Sequence, residues 1–315
     1  MQLKSKLGEY YYSIRKTVQP CKNTWSVDRL IQDAMKGYRQ AQGYTFDINN
    51  PVLFSEKVIW YKLFFNRPGL VNIVDKYLFK QYLADHAGNQ YVVPLYGAWT
   101  KLEDFIDAWD SLPDSFCLKS TLKSDSQFIK VIHDKKKVNL DELCKEVKEW
   151  LKPKNTMINS CCRAYYEAIP RIIAEELISG MEQSYDYKIF CFNGIPECVY
   201  TYANRFENED NAATEDYALT FYDLNWNRID AQIGGKRNTE VPKPKHFEEM
   251  IEVAKQLSQS FPFVRVDFYE TEQRVYVGEM TLYPSGGLLK YEPRSFNEYL
   301  GSLFQLPLDE SIMSK

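Results

Sequence analysis

An α+β fold is what this sequence predicts, and three observations predict it. Segments with apolar residues at helical spacing crowd the chain before residue 90. Alternating runs then take over, among them two strands around Asn193-Gly194, a dipeptide that favours a tight hairpin. Lastly, the amphipathic stretch "HFEEMIEVAKQLSQSF" leads into a second alternating pair, "FVRVDFYETEQRVYVGEMT". Hairpins mixed with helices, rather than regular β-α-β alternation, mark an α+β chain with a cleft expected between its last two units.

In order, "SVDRLIQDAMKGYRQ" is expected to be a helix, with Leu30, Ile31, Ala34 and Tyr38 on one face and Ser26 as a cap. "LFSEKVIWYKLFF" and "GLVNIVDKYLFKQYLADHAG" continue the helical pattern, the second as one helix stopped at Gly88. "QYVVPLYGAW" reads as a strand interrupted by Pro94, and "TKLEDFIDAWDSLP" as a short helix. "SFCLKS" and "QFIKVIHDKK" are strands joined by a polar turn, followed by a helix capped by Asn139. "PRIIAEELI" is a strand running into an acidic pair, and "DYKIFCFNGIPECVYTYANRF" is the Asn193-Gly194 hairpin. "ENEDNAATEDY" reads as a surface loop. The expected division is a helical N-terminal region 1–89, a small subdomain 90–173 and a large subdomain 174–315.

Composition limits the function. At 315 residues the chain can bury an ample core, and its net charge of −4 speaks against nucleic acid as the main partner. Seven scattered cysteines form no Cys-x-x-Cys pair, and the three histidines are far apart, so no zinc spacing is visible. Cysteines inside apolar runs suit reduced thiols and a cytoplasmic setting, and no apolar run is long enough to span a membrane.

The second hairpin carries a puzzle: Asp267 and Glu279 interrupt its apolar runs, one on each strand. Their even offset is compatible with a register that puts both on one face, a carboxylate pair of the kind magnesium takes. Taken alone, the pair reads sooner as two solvent-facing carboxylates on an edge hairpin than as a metal site. Elsewhere, Lys119 ends an apolar strand, Glu175 and Glu176 close another, Asp186 and Lys188 share one strand face, and Lys76 follows Asp75 on a helix.

That ordered set resembles the ATP-grasp superfamily, and within it the branch similar to the teichuronopeptide-biosynthesis protein TupA. The motifs run from "NPVLFSEKVIWYKL" through "DKYLFKQYL", "LPDSFCLKS", "PRIIAEELI", "DYKIFCFNG" and "FVRVDFYE" to "GEMTLYPSGG" and cover most of residues 50 to 301. The resemblance implies two α+β subdomains clasping a nucleotide, with ATP and Mg2+ as cofactors. It implies Lys76 and Lys119 on the ATP phosphates, Lys119 also against the adenine. Glu175, Glu176 and Leu177 would form the hinge whose backbone meets the adenine edge, and Asp186, or its rival Glu182, would hold the ribose. Lys188 would reach phosphate or a substrate carboxylate, Arg265 and Arg205 would bind anions unless they are surface arginines, and Asp267 and Glu279 would hold magnesium.

Two departures stand out. The turn 121–127 lacks the glycines usual in a phosphate-covering lid, and Thr281 stands where Asn usually completes a Glu-x-Asn metal motif. The activity implied is an ATP-dependent carboxylate–amine ligase working through an acyl phosphate. It would join an amino acid or other amine to a uronic-acid carboxyl of a surface polysaccharide. A sugar kinase and a glycosyltransferase are the alternatives, the latter disfavoured because the chain has no Asp-x-Asp.

Overall fold

The computed structural model describes residues 27–122, 128–152, 162–165, 167–178, 185–203, 218–234 and 240–307. Its first part is helical: α1 (Val27–Gln42), α2 (Phe54–Phe64), α3 (Val71–Val74) and α4 (Lys76–His86). The expected single helix over "GLVNIVDKYLFKQYLADHAG" is in fact two. Asp75 turns extended (φ −84°, ψ 114°), and its carboxylate accepts from the backbone N–H groups of Tyr77 at 2.9 Å and Leu78 at 3.3 Å. An aspartate that caps its own downstream turn competes with continuation of the upstream one. The break makes Lys76 the first residue of a new helix.

Next come β1 (Leu95–Trp99), α5 (Leu102–Ala108), β2 (Phe116–Ser120), β3 (Ile129–Ile132), α6 (Leu140–Trp150) and β4 (Ile172–Glu175). The strands form an antiparallel sheet in the order β1-β4-β2-β3. Phe105 and Trp109, with Leu143, Val147 and Trp150 of α6, pack with Phe116, Leu118, Ile172 and Ala174 into a core of their own. Asn139 caps α6 as expected, accepting from Asp141 and Glu142. The boundary expected at 173/174 falls inside β4, which belongs wholly to this sheet, so sheet membership carries the small unit through Glu175.

The remaining elements are β5 (Asp186–Phe192), β6 (Ile195–Ala203), β7 (Ala218–Asp223), β8 (Arg228–Ile229), β9 (Gln232–Ile233), α7 (Phe247–Ser258), β10 (Phe263–Glu270), β11 (Val275–Thr281), β12 (Tyr291–Glu292) and α8 (Arg294–Leu303). Six of them make a second antiparallel sheet, β11-β10-β5-β6-β7-β8. Helix α7 packs on one face, where the Cys191 thiol meets the Ala254 carbonyl. On the other face Phe54 of α2 touches Phe190, Phe192 and Phe263, together with Tyr291 and Phe304. Both faces are therefore covered, and the half-exposed hairpin suggested by alternation in "FVRVDFYE" is buried over its first six residues.

The helical front shares the core of the large sheet: Phe54, Val58, Tyr61, Leu70, Ile73, Phe79 and Leu83 are all buried in it. Among the described residues no helix is long and apolar enough to cross a membrane, and the described cysteines are free thiols. Replacing Phe54 by alanine removes a ring with five aromatic neighbours. It should cost about 3–5 kcal/mol, read as a lowered urea midpoint of the whole large unit. A front that folds apart from the sheet would leave that midpoint unchanged.

Candidate nucleotide and metal site

The inner face of the large sheet is apolar at one end and charged at the other. Along β5 the change comes within one strand face, from Phe192 and Phe190 to Lys188 and Asp186. Lys188 lies directly opposite Asp267, and Asp267 directly opposite Glu279, so three charged residues form one row across β5, β10 and β11. A bulge makes that row possible. Tyr269 pairs with Tyr276 and Phe268 with Val277, a register that would put Gly278 across from Asp267; instead Glu279 does so, and Gly278 is the extra residue. A Cβ on Gly278 would lie 2.5 Å from the Tyr269 ring, so the close approach needs glycine.

Arg265, two residues before Asp267, is the hub of the cluster. Its Nε and Nη2 each donate to one Asp267 carboxylate oxygen at 2.6 Å, and Nη2 also reaches Glu279 Oε1 at 3.1 Å and Thr281 Oγ1 at 2.9 Å. Nη1 donates to the Tyr200 hydroxyl at 3.2 Å. Lys188 bonds Asp267 from the other side and lies 3.5 Å from Asp186. Asp267 is 1% exposed and Arg265 7%, so neither faces solvent, although the hairpin does form the edge of its sheet and the Glu279 side chain is 39% exposed.

The electrostatics follow from this packing. Burial raises the Asp267 carboxyl above its ordinary value, while Arg265 and Lys188 pull the other way. Burial also pushes Glu279 up, but Arg265, Lys188 and Lys76 outweigh it and hold its carboxyl at about 2. Lys188 is raised: burial opposes its charge, and Asp267 and Asp186 prevail.

A second cluster gathers at the small sheet. Lys119 of β2 pairs with Glu175 at the end of β4, and Lys80 of α4 reaches the same carboxylate at 2.8 Å. Burial works against the Glu175 charge, yet the two lysines hold its pKa at about 2. Lys76 links the clusters. Burial lowers its pKa, and the charges acting on it are Glu279 from the large sheet, then Lys119 and Glu175 from the small one. The upper group, Lys76, Lys80 and Lys119 against Glu175, carries two net positive charges. The lower group, Asp186, Asp267 and Glu279 against Lys188 and Arg265, carries one net negative charge.

Of the expected site residues, the structure brings together Lys76, Lys119, Glu175, Asp186, Lys188, Arg265, Asp267 and Glu279. Glu176 and Leu177 follow β4, half-buried, and the Glu176 N–H is already given to the Pro94 carbonyl at 2.9 Å. Glu182, Arg205 and lid-turn residues 123–127 lie outside the described residues. Lys80 was not foreseen; its signal was its position four residues after Lys76, one helical turn along the same face. Asp75, which caps α4, is tied to Arg171 of the small unit at 2.8 Å.

Asp267 and Glu279 fit magnesium in donor class. Among the described residues no group of three or more His, Cys, Asp or Glu is placed to hold a metal. An ion at this pair would complete its shell from phosphate oxygens and water, as magnesium commonly does.

The sequence matches the model of the TupA-like ATP-grasp family over residues 56–305, and the chain belongs to that family. No curated protein matches it. Solved structures similar to it include a D-alanine–D-alanine ligase from Bacillus anthracis complexed with ATP, at 15% identity and TM-score 0.41, covering 69% of this chain and 58% of that one. The D-alanine–D-alanine ligase of Helicobacter pylori has 14% identity and TM-score 0.39, covering 80% and 69%. The L-amino acid ligase of Bacillus licheniformis has 12% identity and TM-score 0.41, covering 69% and 42%. The chain spans about half the length of several proteins of this group.

Glu175 and Glu279 both have folded-state pKa values near 2, below the usual carboxylate range. Their stabilisation is complete above the unfolded pKa of about 4.3 and is lost as pH falls toward 2. Urea titrations between pH 5 and 2.5 should therefore show a shallower decline for Glu175→Gln than for the unaltered protein. Parallel declines would mean that Glu175 is not held by its lysines.

Proposed function

We propose that the chain is an ATP-dependent carboxylate–amine ligase, with a uronic-acid carboxyl of a surface saccharide as acceptor and an amino acid or other small amine as nucleophile. One observation carries the reading: Lys80 and Lys119 gather on Glu175 at one sheet, Asp267 and Glu279 stand opposite each other on the second, and Lys76 opens the helix that bears Lys80. A triphosphate needs cations along its oxygens and carboxylates for its metal, and this cleft supplies both from facing units.

In the reaction, an oxygen of the substrate carboxylate attacks the γ-phosphorus of ATP, the bond to the β–γ bridging oxygen breaks, and ADP leaves. The amine nitrogen then attacks the acyl carbon, inorganic phosphate departs, and the nitrogen loses a proton to give the amide. Lys76 and Lys119 neutralise phosphate oxygens as charge moves toward ADP. Arg265 and Lys188, already directed at anions, orient the substrate carboxylate and stabilise negative charge on the acyl group. Asp267 and Glu279 would hold magnesium, which supplies further neutralisation at the phosphates. Asp186 is the candidate for the ribose hydroxyls. The polysaccharide context rests on the branch of the family, and a cytoplasmic location on its need for ATP and on the free thiols.

The test is an ADP-release screen of amino acids against uronic-acid saccharides. ADP and phosphate should appear only when carboxylate and amine are both supplied, and Asp267→Asn should lower kcat by roughly 10²-fold or more. A stable phosphoester formed without any amine would identify a sugar kinase instead.

A further inference from the structure

The helix α4 lysine that the reading above leaves without a task is Lys80. Its ammonium sits 2.8 Å from Glu175 Oε2, while Lys119 takes Oε1, so each carboxylate oxygen is assigned to one lysine. The Glu175 side chain is only 5% exposed. A carboxylate so buried is costly without a counter-ion, and removal of its cation leaves that charge uncompensated.

The two lysines are not equivalent. Lys80 also donates to the Val93 carbonyl at 2.7 Å and its side chain is 14% exposed, which pins it between α4 and the segment before β1. Lys119 has the more open side chain, 22% exposed, and ends a strand that leads into the 121–127 turn. One cation is therefore anchored at two points, and the other has the more open side chain.

We propose that Lys80 is a positioning residue, the permanent counter-ion of Glu175, whose presence lets Lys119 turn from that carboxylate to a nucleotide phosphate. The proposal rests on the cleft being a nucleotide site. With Lys80 in place, departure of Lys119 leaves Glu175 neutralised. Without Lys80, Glu175 retains Lys119 as its sole counter-ion in the pair, and phosphate must compete with a buried carboxylate for it. A purely structural tie between α4 and β4 predicts something else: its removal would lower stability and weaken all nucleosides alike.

The experiment compares affinities for adenosine and for ADP by calorimetry. The proteins are the unaltered chain, Lys80→Met, Lys80→Arg and the double variant Lys80→Met with Glu175→Gln. The unaltered protein should bind ADP more tightly than adenosine. In Lys80→Met that ratio should fall about tenfold while adenosine affinity stays within about threefold. Lys80→Arg should restore the ratio, and so should the double variant, in which Glu175 no longer has a charge with which to hold Lys119. An unchanged ratio in Lys80→Met would overturn the proposal. So would a double variant whose ratio lies about tenfold below that of the unaltered protein, which decides the matter even if the single variant does not fold, because the double variant removes the buried carboxylate's charge together with its cation. An unaltered protein that binds ADP no better than adenosine would instead overturn the nucleotide site itself, and the proposal with it.

Discussion

The buried charge row on the large sheet is the constraint on which the rest of this structure depends. Placing Lys188, Arg265 and Asp267 out of water is unfavourable unless each finds opposite charge at hydrogen-bond distance. The sheet meets that demand by register: Lys188 and Asp267 face each other on neighbouring strands, and Arg265 closes the group from two residues away. Losing a partner from such a pair typically costs about 3–5 kcal/mol, so strand order and bulge position are bound to the chemistry of one patch. The same face turns apolar at Phe190 and Phe263, where Phe54 seals it. Apolar packing thus bounds one side of the charges, while Glu279, with a side chain 39% exposed, opens to solvent.

The fold and the candidate site were legible to different depths. Alternation and turn chemistry located the two central hairpins, because Asn193-Gly194 and the β10–β11 pair obey local rules. The short strands β8, β9 and β12 carry too few residues to announce themselves, whereas helix α8, with Phe296 and Leu300 buried one turn apart, has a pattern that could have been read. The break at Asp75 was hidden because neither glycine nor proline marks it; an aspartate acting as a cap looks like any polar residue on an amphipathic helix. The even offset between Asp267 and Glu279 pointed to a shared face, but the turn alone sets the opposite parity. Only the extra residue at Gly278 brings Glu279 round, and periodicity contains no such information. Lys80 was missed because a lysine one turn from another reads as solvated surface until the opposing strand supplies Glu175.

The two units are joined in a distinctive way. Each has its own apolar core, and Cys162 and Ala164 from the small unit's stretch also pack into the larger one; beside these apolar contacts stand polar links, Lys80 and Lys119 on Glu175 and Arg171 on Asp75. Apolar contacts hold across many conditions, while ion pairs respond to any competing charge. Arg171 extends the link further, since its backbone N–H donates to the Thr121 hydroxyl at the base of the 121–127 turn. One residue thereby touches both the cap of α4 and the root of that turn.

The placement of α2 bears on how the molecule can be divided. Residues before β1 look in the sequence like a separate helical preface, yet Phe54 packs on β5 and β10, Val58 and Tyr61 are buried in the same core, and Lys76 and Lys80 come from the same stretch. A fragment begun at the first strand would lack both the lining of its sheet and two of its cations. A piece of this chain that keeps the lining of the large sheet together with Lys76 and Lys80 therefore has to start upstream of α2, and the helices are a wall of the fold rather than a preface to it.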